Sequence, residues 1–87
     1  MKKMNGLFIP NEAEIRKEIR NSTKMAKDTG NYIQTWFDMI TGTFCREEFV
    51  DPASYVCLNE DEYNIGGTYD DLDILISMME EHAMNQQ

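Results

Sequence analysis

Toward the end of the chain, Leu72, Leu75, Ile76, Met79 and Ala83 recur at the three- and four-residue intervals of an α-helix. At about 100° per residue they span roughly 100° of arc. Asp70, Asp73, Ser77, Glu80 and Glu81 cover a similar arc on the facing side. Ile74 and Met78 fall outside both arcs and are expected to be exposed unless another element or a partner covers them. Thr68 opens this helix, with Asp71 at its third position. Near the start of the chain, Gly6-Leu7-Phe8-Ile9 reads as a short extended piece closed by Pro10. Asn11 then has the chemistry of an N-cap, with Glu14 three residues on, a variant of the capping box. The pattern predicts a helix over 12–28, ended by Thr29-Gly30. Ile15, Ile19, Ser22 and Ala26 lie on one face, and Arg16, Arg20, Lys24 and Lys27 on another.

Between these two helices the pattern is less regular. Ile33, Trp36, Phe37 and Ile40 follow the i, i+3, i+4, i+7 rule and predict a helix over 32–41. Residues 43–67 mix signals. Thr43-Phe44-Cys45 and Phe49-Val50 suit short strands, and Asp51-Pro52 suits an N-cap followed by proline, starting a short helix through Tyr55, Val56 and Leu58. Asn59 to Gly67 reads as a polar loop with a turn at Gly66-Gly67. The fold class expected is therefore mainly α: a small bundle of three to four helices, with a short β-hairpin in residues 43–58 as the α+β alternative.

Charge changes the picture more than composition does. Residues 1–46 hold all eight Lys and Arg with five acids, leaving +3; residues 47–87 hold eleven acids and no Lys or Arg, leaving −11, for a net −8. Such asymmetry between halves points to an electrostatic partner. A net negative chain repels nucleic acid at long range and attracts proteins that bind it. Within the last helix no Lys or Arg sits at i±3 or i±4 to Glu80 or Glu81, so like charges cost a few tenths of a kcal/mol each, roughly. Pairing with the cations of the first helix would relieve this internally. A basic partner would relieve it externally. Along the helix axis the carboxylates of Asp73 and Glu80 stand about 10 Å apart, the scale of a few phosphates on a nucleic-acid strand.

Candidate chemistry is otherwise thin. A chain of 87 residues forms one domain, 1–87, with 1–5 and 84–87 expected to fray, and its stability falls at about 4–13 kcal/mol. That size leaves little bulk for the dry concave site that a carboxylate dyad needs. An EF-hand loop needs oxygen ligands at its positions 1, 3 and 5 and glycine at 6; starting at Asp61 puts Tyr63 and Ile65 among the ligands, and starting at Glu60 puts Ile65 in place of glycine. His82, the single histidine, reads as a surface residue, and Cys45 and Cys57 as small buried apolar groups in a reducing cytoplasm. No enzyme activity, cofactor or metal is expected, and no apolar run reaches membrane-spanning length.

The functional expectation is a small acidic inhibitor that binds and blocks the cationic nucleic-acid-binding surface of another protein, without touching nucleic acid itself. In general character it resembles the anti-CRISPR and anti-restriction proteins of phages and mobile elements. That likeness rests on size, charge and the lack of catalytic motifs, and it carries over no functional residue. The residues expected to face the partner are Glu60, Asp61, Glu62, Asp70, Asp73, Glu80 and Glu81, with Tyr63 and Tyr69 as aromatic anchors. The alternatives are an immunity protein or antitoxin that neutralises a basic toxin, and a structural protein that homo-oligomerises through Ile74 and Met78.

Overall fold

The computed structural model describes residues 1–66 and 71–86. Among them the chain forms two α-helices and five strands in two antiparallel sheets, an α+β arrangement. The expected bundle of three to four helices does not form.

The chain starts with a hairpin. β1 (Lys2–Met4) pairs with β2 (Leu7–Ile9) in the register Met4↔Leu7. The two-residue loop between them is Asn5-Gly6, both at positive φ (49° and 84°). That geometry matches the right-handed twist of paired strands, and Asn-Gly reaches it with least strain. α1 (Glu12–Thr29) follows, close to the expected span. The Asn11 side chain accepts from the Glu14 N–H at 2.9 Å, and the Glu14 carboxylate accepts from the Asn11 N–H at 3.1 Å. Gly30 closes the helix in the left-handed conformation.

Residues 32–41 are not a helix. β3 (Tyr32–Asp38) is the central strand of the second sheet, between β4 (Thr43–Phe49) and β5 (Glu62–Asn64). Its aromatic and β-branched residues fit a pleated surface. The strand alternation was hidden because both faces are covered. Phe37 and Met39 enter the core, where Phe37 meets Phe44 with ring centroids 4.8 Å apart. On the other face Gln34 is also buried, 3% exposed. It holds the chain that crosses from β4 to β5: its Nε2 donates to the Val56 C=O at 3.0 Å and its Oε1 accepts from the Val56 N–H at 2.8 Å. A buried polar group of this kind breaks the apolar/polar rhythm while remaining satisfied. The strands expected in two fragments within 43–50 form the single β4. The short helix expected after Asp51 is one 3-10 turn, Pro52–Ser54, capped by Asp51.

α2 (Leu72–Met84) closes the core with Leu72, Leu75, Met79 and Ala83. They pack with Leu7 and Ile9 of β2, Ile15 of α1, and Phe37, Met39 and Ile65 of the sheet. Its N-cap is Asp71, which accepts from the Asp73 N–H at 2.9 Å. The expected cap, Thr68, lies outside the described residues, as do Gly67, Tyr69, Asp70 and Gln87.

Candidate functional site

Burial of Leu75, Met79 and Ala83 fixes the rotation of α2 and so decides which side chains it shows to solvent. Asp73, Ile74, Met78, Glu81 and Met84 face outward, with Ile74 56% and Met84 67% exposed. The outer ridge of α2 thus combines carboxylates with apolar contact area, two ingredients of a protein-binding surface.

The expected site residues divide between the two flanks of this ridge. On one flank lies the loop before β5. Glu60 is exposed, and the Glu62 carboxylate accepts from the Asn59 N–H at 2.9 Å. Asp61 is bound to His82 of α2, with Nε2 and Oδ1 2.7 Å apart. His82 was expected at the surface but is half-buried, and it fastens the acidic loop to the helix. The Tyr63 ring stands edge-on to His82 at 5.8 Å and packs against the core, so most of its surface is committed to the fold. On the other flank, Asp73 and Glu80 line a cleft of about 470 Å³ with Lys2, Ile9, Glu12 and Ile76. Lys2 Nζ reaches Glu80 Oε2 at 2.5 Å.

The cations of α1 are placed elsewhere. Arg16 pairs with Glu12 at 2.6 Å, and Arg46 of β4 pairs with Glu18 at 2.8 Å. Among the described residues, Lys2 is the one Lys or Arg within ion-pair distance of an acid from the C-terminal half. Among the described residues, no Lys or Arg of the first helix forms an ion pair with these carboxylates. Burial, with the charges of Asp38 and Glu62 adding to it, pushes the Cys45 thiol above its ordinary range. Cys57, expected to be buried, is exposed.

Two members of this surface had no local signal. Lys2 is 78 positions from Glu80, and His82 is 21 from Asp61. Only the tertiary fold brings them together. Comparison with protein-family models, with curated proteins and with solved structures finds no match for this chain.

Proposed function

We propose that this protein is a non-enzymatic acidic inhibitor that docks α2 and the loop at 59–62 onto the cationic nucleic-acid-binding surface of another protein. The observation that supports this is the charge separation retained in the fold: among the described residues Lys2–Glu80 is the single Lys or Arg ion pair to a carboxylate of the C-terminal half, beside the His82–Asp61 contact. Uncompensated carboxylates on an exposed face attract an Arg/Lys groove, speed encounter and displace its counterions as phosphates do. Ile74, Met78 and Met84 add the apolar contact area that charge alone lacks. This work takes place in the cytoplasm, and the target is a nuclease or effector complex of the kind that anti-CRISPR and anti-restriction proteins block. No helix among the described residues is long and apolar enough to cross a membrane.

The test is capture from a nuclease-treated lysate, followed by elution with nucleic acid. The proposal expects basic nucleic-acid-binding proteins that are released by duplex DNA or RNA and by moderate salt. Combining Asp73→Asn, Glu80→Gln and Glu81→Gln should abolish capture and preserve the fold. Equal capture by the folded triple variant contradicts the proposal. An immunity protein for a basic toxin would give the same charge dependence, and the identity of the captured protein separates the two. The exposed Ile74, Met78 and Met84 also favour a second reading, self-association through α2. Light scattering checks it: a stable oligomer that dissociates on Ile74→Ser and Met78→Ser replaces inhibition as the use of this face.

A further inference from the structure

β4 is the outer strand of its sheet, with β3 on one side. The Thr35 C=O accepts from the Ile65 N–H at 2.9 Å, so Thr35 bonds away from β4. Successive residues of a strand bond to opposite sides. Trp36 therefore bonds to its partner Cys45, and Gln34 to Glu47. Phe44, Arg46 and Glu48 are left to direct their N–H and C=O groups outward, away from β3. Among the described residues nothing bonds to these groups. The register with β3 runs unbroken from Asp38↔Thr43 to Tyr32↔Phe49, so neither a bulge nor a proline blunts the edge. Arg46, Glu47 and Glu48 along it are exposed. An open edge of this length is a template for a further strand.

The side chains of the edge specify that strand. Phe44, Arg46 and Glu48 share the face toward α1, where Phe44 meets Phe37 and Arg46 meets Glu18. Cys45, Glu47 and Phe49 share the other face, where Phe49 meets Tyr55 with ring centroids 5.3 Å apart. Val50 follows the strand and is 83% exposed, the most of any large apolar residue described. A second copy laid antiparallel must set its outward-bonding residues against those of the first, which leaves few registers. Centred on Arg46, two guanidinium groups oppose each other. Centred on Cys45, Arg46 opposes Phe44, and no charge meets its opposite. Centred on Glu47, Arg46 of each copy opposes Glu48 of the other, Phe44 opposes Val50, and Cys45 opposes Phe49. This last register matches charge with opposite charge and apolar with apolar at every position except Glu47 itself.

We propose that β4 pairs with β4 of a second copy across a twofold axis at Glu47, joining the two sheets into one. The outward N–H and C=O groups of Phe44, Arg46 and Glu48 are then satisfied, and Val50 is covered by Phe44 of the other copy. A single strand pair is a small interface, so the dimer is weak and forms as concentration rises. Two chains of net charge −8 repel each other at long range, and salt screens that repulsion. Dimers therefore strengthen with salt, whereas docking of α2 on a basic partner weakens. The edge of β4 is a different surface from the outer ridge of α2, so its failure leaves the inhibitor reading standing.

The test is analytical ultracentrifugation of the full chain across a range of concentrations at low and high salt, with hydrogen exchange read at each amide. The proposal expects dimers at high concentration and high salt. Exchange at Phe44, Arg46 and Glu48 should slow as they form, while Cys45 and Glu47, already bonded to β3, stay unchanged. Arg46→Glu and Glu48→Arg, each alone, set like charges against one another and should weaken the dimer roughly tenfold or more. Mixing the two variants restores opposite charges in both cross-strand pairs and should restore association, a rescue that a role within one chain does not produce. Glu47→Gln should strengthen the dimer. A chain that stays monomeric at high salt, or a mixture that associates no better than its components, overturns the proposal. So do dimers whose Phe44, Arg46 and Glu48 amides exchange as freely as before. Association that is lost on combining Ile74→Ser with Met78→Ser and kept in Arg46→Glu also overturns it.

Discussion

The two helices of this protein are held by different means. α1 is the longer, yet Ile15 is its one fully buried residue. It relies on its ends, with a complete capping box at Asn11 and Glu14 and a left-handed glycine at position 30. α2 is shorter and buries Leu72, Leu75, Met79 and Ala83. It relies on the core. The charges follow the same division: α1 carries most of the cations at its surface, and α2 carries carboxylates beside exposed apolar groups. A helix fixed by its core can keep an electrostatically unfavourable outer face, because packing outweighs a few tenths of a kcal/mol per like-charge pair, roughly. That tolerance leaves α2 with the acidic outer face on which the proposed function draws.

The largest effect should come from the core side of α2. Leu75 is fully buried, so Leu75→Ala should cost about 2–5 kcal/mol, a large part of the stability of so small a chain. Ile74 is adjacent in sequence but points outward, and Ile74→Ser should change stability by no more than about 0.5 kcal/mol. Denaturant melts of the two variants check this contrast, and equal losses would break it. On α1 the sensitive position is the cap. Asn11→Ala should cost about 1 kcal/mol, read in the same melts and as reduced helicity by circular dichroism.

The smallest effect is a dependence on pH. Glu14 has its carboxyl held below the ordinary range, first by a hydrogen bond from the chain's amino group and then by the Asn11 N–H. A carboxylate with a lowered folded-state pKa contributes stability above its unfolded pKa and loses it as pH falls through the folded value. Glu14→Gln should therefore destabilise at neutral pH and flatten the acid limb of the stability profile below pH ~4.5. An unchanged acid limb would remove Glu14 from the account of how α1 is anchored.

The two helices also differ in how readily they could be read. α1 is announced by local chemistry: Asn11, Glu14 and Gly30 act on neighbours within a few positions. The apolar stripe of α2 is as clear, but its start is not, since Asp71 takes the cap that Thr68 also suited. β3 is hidden because Gln34 and Thr35 are polar and buried, held by Val56 and Ser22 from other parts of the chain. Its pattern then fits helix spacing better than strand alternation. Asn5-Gly6 carries a local hairpin signal, but the strands it joins have only three residues each, too few for a visible alternation. The charge separation behind the candidate site is visible in composition. Its partial neutralisation by Lys2 and its anchoring by His82 are not, because both contacts close over distances no local pattern records.

The account rests on carboxylates of the C-terminal half being available to a cationic macromolecule after folding. The most direct measurement is amide chemical-shift mapping of the full chain titrated with a short arginine-rich peptide at low and moderate salt. The account predicts saturable shifts along the outer ridge of α2 and in the loop at 59–62, weakening as salt rises, with α1 unaffected. Shifts spread evenly over the surface, or absent from Asp73 through Glu81, would contradict it.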